Sequence, residues 1–388
     1  MKFFHLSDLH IGKNLNGYSL KENQKEVLSQ VTAAAKQYHP DAILICGDIY
    51  DRAVPSGEAY TLFDCFLKEL SSIQPQIPVM IIAGNHDSPE RLSYAGGFLE
   101  YHRIYISAMP PGCPEEHLKR VVLEDEYGPV NFYLLPFLKP GYVRPLFAET
   151  GVEGYEDAVE KVLKREDVDT SQRNVILSHQ FYVNGGQLPR TCESEQASIM
   201  AGGLDSVDIR VLGSFDYAAL GHLHGPQKVG RESVRYCGTP FKYSVSEESH
   251  RKSITVVDLG PKGEEPEISM LPLTGRQDVR RVKGSLEEVL SQGSGGNCHD
   301  FVSVTVTDET EPYNLREQVE EVYDHLLELR IDNSRTRQRL QDTGEEPSLL
   351  RPFEAFCQFY ETVRHCSMTA AEEERMKAMI EGAKGVEQ

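Results

Sequence analysis

The residues of this chain best suited to chemistry are aspartate, asparagine and histidine, and they arrive in five short clusters. Asp8 and His10 stand in "FFHLSDLH" and Asp48 in "AILICGDIYD". Asn85, His86 and Asp87 stand in "VMIIAGNHD", His179 in "NVILSHQ", and His222 with His224 in "YAALGHLH". Each cluster directly follows an apolar run. Singly they say little: a D-x-H tripeptide arises by chance, Gly-Asp commonly marks a turn after a strand, and a lone histidine is more often structural than a ligand. "GNHD" is rarer, because a turn needs no histidine. His222 and His224 fall on the same side of an extended segment, as ligation from a strand end requires.

Together the clusters supply carboxylate, amide and imidazole donors and no thiolate, a set that suits manganese, iron or zinc rather than a Cys-bound structural zinc. Asp8, His10, Asp48, Asn85, His179, His222 and His224, with one carboxylate able to bridge, would fill two neighbouring sites. A pair of divalent ions about 3.5–4 Å apart is a common device for in-line displacement at phosphorus. The sequence offers no evident nucleophile for a covalent intermediate.

The elements that must position these groups are legible as well. Helical spacing lies between several apolar runs: Val27, Leu28, Val31 and Ala35 in a stretch ending at Pro40, then Leu62, Phe63, Phe66, Leu67 and Leu70. Strands alternating with helices make an α/β unit whose strands are buried on both faces, with the polar clusters at the carboxyl ends where such sheets place their sites. Strands expected at 121–135 and 228–260 lack intervening helices and predict antiparallel pairing.

The bulk properties narrow the class. No stretch approaches the ~20 apolar residues of a membrane span and no signal-peptide layout opens the chain, so it is read as cytoplasmic. Its eight cysteines form no C-x-x-C pair, which argues against a disulfide framework and a zinc knuckle. A net charge of −20 tells against a simple nucleic-acid binder, although cations or a partner can supply the positive field.

After "LGPKGEEPE" the composition shifts, and residues 271–332 read as strand, helix, strand, helix, strand, a small α+β domain. Residues 333–346 read as a polar linker bearing Arg335, Arg337 and Arg339, more a solvated segment than a DNA contact. In 347–388, Leu349, Leu350, Phe353, Phe356, Phe359, Tyr360 and Val363 line one helical face. A second helix opens at a capping box of Thr369 and Glu372. Two such helices either pack on their own chain or dock a partner.

The motifs D-x-H, G-D-x-x-D, G-N-H-D, a lone His after a strand and G-H-x-H resemble the calcineurin-like metallophosphoesterase superfamily. "GDIYDRAVPSGEAY", "GNHDSPERL" and "ALGHLHGPQ" resemble the nuclease subunits that work with an SMC-like ATPase of SbcC type in bacterial DNA repair. The resemblance implies an α/β fold with a metallophosphoesterase β-sandwich flanked by helices over residues 1–270, a capping domain and a two-helix tail that binds the ATPase. It implies one ion on Asp8, His10, Asp48 and His224, and another on Asp48, Asn85, His179 and His222, with manganese the expected metal and iron or zinc permitted. His86 matches the family's catalytic histidine, and Asp87 would orient it through a hydrogen bond. The role of Asp51 stays open, since some relatives carry histidine there.

A metal-dependent DNA exonuclease and endonuclease is the leading expectation, with Leu350, Phe353, Phe356 and Tyr360 as partner-binding residues and a homodimer formed around residues 55–105. A stand-alone phosphatase or phosphodiesterase would use the same centre but has no evident use for the chain beyond 270. A scaffold without catalysis is disfavoured, because every ligand position and His86 are intact.

Overall fold

The computed structural model describes residues 1–196, 205–293, 297–310 and 312–337, together with residues 356, 357, 360, 368, 369, 372, 373, 375 and 376. The chain falls into two units, residues 1–306 with 312–330, and residues 307–311 with 331–388.

In the first unit the apolar runs become strands of two six-stranded sheets. β1 (Lys2–Leu6), β2 (Ala42–Cys46), β3 (Val79–Ile82) and β4 (Ile104–Ser107) run parallel in one. The other holds β5 (Lys119–Asp125), β6 (Gly128–Leu135), β7 (Arg173–His179), β8 (Tyr217–Gly221), β9 (Gln227–Val229) and β10 (Arg231–Tyr236). There β6, β7, β8 and β10 are parallel, while β5 and β9 close the edges antiparallel. β11 (Ser253–Asp258) and β12 (Glu267–Pro272) then return antiparallel to the first sheet, giving the order β12-β11-β1-β2-β3-β4. The antiparallel segments are those the missing helices predict.

Why both faces are apolar follows from the strand period of two. Phe3, Leu44, Met80 and Ile82 face the second sheet and pack with Phe132, Leu134, Val175, Leu177 and Tyr217. Their neighbours Phe4, Ile43, Ile45 and Ile81 face outward, onto Val27 and Val31 of α1 (Lys21–Tyr38) and Phe63 and Phe66 of α2 (Gly57–Ser71). On the far side Tyr133, Ile176, Ala218 and Leu220 receive Val159 and Val162 of α3 (Tyr155–Lys164). The result is four layers, helix–sheet–sheet–helix. α1 ends on His39 in the left-handed conformation just before Pro40. α2 starts at Ser56, whose hydroxyl accepts from the Ala59 N–H at 3.2 Å.

Two buried polar residues tie the sheets together. His5 bonds the Tyr217 hydroxyl at 2.9 Å and the Leu220 carbonyl at 3.2 Å, linking β1 to β8. Burial lowers its pKa to about 3, so it is neutral. Arg173 donates to Asp125 at 3.0 Å, to the Gly128 carbonyl at 2.6 Å and to the Gly260 carbonyl at 3.2 Å. It thereby joins the β5–β6 turn to the end of β11.

Three further strands, Val279–Gly284, Phe301–Val306 and His325–Ile331, form their own sheet with helices Leu286–Gly293 and Leu315–Glu320. They occur in the expected order. Val279 and Phe301 join the α1–α2 core, and the Asn16 amide donates to the Leu327 carbonyl at 3.0 Å. In the second unit Asn333 donates to the Asp308 carbonyl at 3.3 Å, and Arg337 pairs with Asp332 at 2.7 Å. At the expected capping box the Glu372 carboxylate accepts from the Thr369 N–H at 2.8 Å. The Thr369 hydroxyl donates to that carboxylate at 2.7 Å, and the Glu372 N–H donates to the Thr369 carbonyl at 3.0 Å.

Breaking a nearly buried ion pair costs about 3–5 kcal/mol, so Arg173→Met is expected to lower the unfolding free energy by about 3 kcal/mol in urea at pH 7. Arg173, chiefly through its hydrogen bond, holds Asp125 well below the usual carboxylate range. That stabilisation is present above the unfolded value near pH 4 and lost as pH falls through the lower folded value. The gap between wild type and variant should therefore narrow below about pH 4. A gap that stays constant down to acid unfolding would contradict this role.

Candidate metal centre

The strand ends of both sheets meet at one spot. After β1 and β2 the two chains zip together: Asp8 N–H donates to the Gly47 carbonyl, His10 N–H to the Asp48 carbonyl and Ile11 N–H to the Ile49 carbonyl, each at 2.9 Å. To turn their side chains inward, Asp8, His10, Asp48 and His222 adopt φ of 52°, 42°, 50° and 104°. Non-glycine residues seldom take that region, and such strain gathers at functional sites. Two glycines make room. A Cβ on Gly84 would overlap the Asp48 carboxylate, and one on Gly221 would overlap the Cys46 carbonyl.

All seven expected ligand residues converge here. His10 and His224 face each other with Nε2 atoms 3.3 Å apart. Asp48 Oδ2 lies 3.7 Å from His10 Nε2 and 3.5 Å from His179 Nε2. The Asn85 carbonyl oxygen sits 3.1 Å from His179 Nε2 and 3.0 Å from His222 Nδ1. Asp8 stands 4.0 Å from His179 and takes the His222 N–H on both oxygens at 3.0 Å. Ligand atoms of Asp8, His10 and His224 lie within 4.8 Å of one another, as do those of Asp8, Asp48 and His179, and those of His10, Asp48 and His86.

Burial sets the electrostatics. It holds His10 well below its ordinary pKa and lowers His222 to about 3, so neither carries a proton to spare. It likewise raises Asp8. Burial would raise Asp48 as well, but His179, His10 and His86 around it hold it well below the usual range. Asp48 and Asp8 in turn raise His179 to about 9 against its burial. Glu247 likewise raises His224 against its burial, so protons shared with carboxylates offset part of a site that crowds four buried imidazoles and two carboxylates together. His10 Nδ1 is buried with no hydrogen-bond partner. Divalent cations satisfy such a donor set where protons satisfy only part of it, so the residues present fit the metals implied by their chemistry.

The outer nitrogens fix the tautomers. His179 Nδ1 donates to the Cys46 carbonyl at 2.7 Å, which leaves Nε2, with the proton it shares with Asp48, as the nitrogen turned inward. His224 Nδ1 contacts Ser194 Oγ at 2.9 Å and Glu247 at 3.2 Å.

His86 is half-exposed at the rim. Its N–H donates to Asp48 at 2.9 Å, and its Nδ1 bonds the backbone carbonyl of Asp51 at 3.0 Å. The orienting bond expected from Asp87 therefore comes from Asp51. The Asp87 carboxylate is occupied in bracing the loops, accepting from Gly84 N–H at 2.9 Å, Tyr50 N–H at 3.0 Å and Ile49 N–H at 3.1 Å. The Asp51 side chain pairs with Lys13 at 2.8 Å.

Sequence reasoning did not find Glu247, Lys252, Ser194 or Tyr243, which stand just behind the ligands. None lies in a strand-end cluster, and the Asp51 carbonyl has no side-chain signal at all. Of the expected partner-binding residues, Phe356 and Tyr360 are half-buried, with ring centroids 6.4 Å apart. Leu350 and Phe353 lie outside the described residues.

Residues 1–226 match the calcineurin-like phosphoesterase family, and residues 275–364 match the type 5 capsule protein repressor C-terminal domain. The D subunit of the nuclease SbcCD of Staphylococcus epidermidis is 30% identical over 335 residues, covering 85% of both chains. Its counterpart in Staphylococcus saprophyticus subsp. saprophyticus, likewise the D subunit of an SbcCD nuclease, is 30% identical over 294 residues, 75% of this chain and 74% of that one. With the strand-end donors of both sheets assembled as a phosphoester-cleaving centre requires, the chain belongs to the calcineurin-like phosphoesterase family and is a phosphodiester hydrolase related to the D subunits of SbcCD nucleases.

Proposed function

We propose that this chain is a metal-dependent DNA nuclease, with exonuclease and endonuclease activity, that acts as one subunit beside an SMC-like ATPase in processing DNA ends, hairpins and breaks. The observation that carries the reading is the convergence of seven motif residues on one spot, in a chain related over most of its length to nuclease subunits. One ion would sit on Asp8, His10, Asp48 and His224, the other on Asp48, Asn85, His179 and His222. The near-equal approach of Asp48 Oδ2 to His10 and His179 supports its bridging role. Manganese is the proposed metal and the cytoplasm the proposed location. No described helix is long and apolar enough to cross a membrane.

When bound, two divalent ions supply an acidified water and offset charge on the phosphoryl oxygens. The rest falls to the protein. Asp8 and Asp48 orient the donor set from neighbouring strands of one sheet while His179, His222 and His224 come from the other, and the buried walls keep the electrostatics strong. His86 presents Nε2 to the substrate side, 4.0 Å from Asp48 Oδ2, while its other nitrogen is anchored on the Asp51 carbonyl. That placement at the rim suits His86 to act on the departing sugar oxygen as a general acid.

The remaining organisation follows the same reading: a nuclease domain over 1–270, a capping domain over 271–332, a linker over 333–346 and a partner-binding tail over 347–388. Homodimerisation is proposed around residues 55–105, where Tyr94, Phe98 and Tyr101 are 84%, 65% and 86% exposed.

Double-stranded DNA ends should be cut in the presence of Mn²⁺, faster with the ATPase partner and ATP. His86→Ala should lose about 10²–10⁴-fold in rate while calorimetry shows Mn²⁺ uptake intact. Turnover of a small aryl phosphodiester alone, indifferent to the partner, would favour a stand-alone phosphodiesterase.

Placing lysine at Leu350, Phe353, Phe356 and Tyr360 should abolish co-purification with the ATPase yet leave hydrolysis of the small ester unchanged. Retained co-purification would exclude the tail as the docking element.

A further inference from the structure

His224 is held from behind by a charge pair that lies beyond the family-matched residues 1–226. Glu247 and Lys252 flank the segment "EESHRK". The Glu247 side chain is fully buried and that of Lys252 is 4% exposed, with 2.6 Å between them. Glu247 Oε1 lies 3.2 Å from His224 Nδ1 and accepts from Ser194 Oγ at 2.9 Å and from Tyr243 N–H at 3.2 Å. Lys252 Nζ donates to the His224 carbonyl at 3.0 Å and to Thr239 Oγ1 at 2.6 Å. The same pair therefore holds residue 224 at its ring and at its main chain.

The chemistry of this arrangement has one direction. An ionised carboxylate only accepts, so its approach to Nδ1 places the ring proton there, whether directly or through the Ser194 hydroxyl. The Nε2 lone pair is then turned toward His10. A buried carboxylate without a partner would be costly, and the ammonium of Lys252 offsets it. Because the pair is neutral overall, it orients the imidazole without adding net charge to the Asp8 and Asp48 site. The other ligands are held differently: His179 leans on a backbone carbonyl, and the Asp51–Lys13 pair behind His10 stands 3.8 Å from its Nδ1, beyond hydrogen-bond distance.

We propose that Glu247 and Lys252 are positioning residues for the ion held by His224, locking the Nε2-coordinating tautomer and tuning that ion's affinity separately from its neighbour's. This rests on the two-ion reading above.

The test is Mn²⁺ calorimetry on the full chain, with ¹⁵N NMR of the His224 ring in metal-free protein. Glu247→Gln should weaken one ion by about 10–100-fold and leave the other, on Asn85, His179 and His222, within about threefold. The metal-free His224 ring should shift from Nδ1–H toward a tautomer mixture. Glu247→Asp keeps the charge opposite Lys252 but withdraws the carboxylate from Nδ1. It should show the same selective loss with a smaller fall in thermal midpoint. Unchanged affinities and tautomer in Glu247→Gln would overturn the proposal, as would equal weakening of both ions in step with thermal stability. If wild type takes up no Mn²⁺ at either site the two-ion reading fails, and the metal-free tautomer still decides whether Glu247 orients His224.

Discussion

The Asp8 carboxylate receiving the His222 N–H on both oxygens is the bond on which the rest of the site depends. Asp8 ends a strand of one sheet and His222 follows a strand of the other. A shift of either sheet along its strands would separate them. The side chains beneath, His5 on Tyr217 and Leu220 and the interdigitated Phe3, Phe132 and Tyr217, keep the sheets at that height. Packing in the sandwich centre thus sets donor distances at its edge. Protein interiors close-pack and transmit small displacements, so a core substitution between the sheets acts on the site as well as on stability.

How much of this the sequence discloses depends on whether a feature has a local signature. Strand ends followed by Asp, Asn or His are local, and all seven expected ligands come together. The helices around Val27–Ala35 and Phe63–Leu70 are local too, since one face of each had to be apolar. The Asp51 carbonyl under His86 is a backbone group and leaves no trace in residue type. The Asp87 carboxylate reads as a partner for its neighbour His86, but three N–H groups claim it, one from its own turn at Gly84 and two from Ile49 and Tyr50 of the neighbouring loop. Glu247 and Lys252 sit in a polar stretch with no motif. Only the fold brings them to His224, more than twenty residues away along the chain.

The site also shows why strain is tolerated. Four of its residues, Asp8, His10, Asp48 and His222, occupy left-handed backbone, at a cost of order 1–3 kcal/mol each. The surroundings over-determine them. Asp8 and His10 are pinned by the zipper to Gly47 and Asp48, and Asp48 accepts from the His86 N–H. The donors are therefore largely pre-placed, and ordering them adds little to the cost of binding cations.

Charge completes the argument. A phosphodiester is an anion, and this chain carries −20 overall with two buried carboxylates at its centre. Unmodified, such a site repels its own substrate. The positive groups at hand do not reverse this: Lys13 is spent on Asp51, Lys252 on Glu247, and the His179 proton on Asp48. Each of these three is matched to a carboxylate already present and leaves no positive charge over for a phosphodiester. Divalent ions are thus needed to hold the substrate as well as to activate the attacking water. The neutral Glu247–Lys252 pair fits that requirement, since a supporting carboxylate without its lysine would cancel part of the charge the substrate must meet.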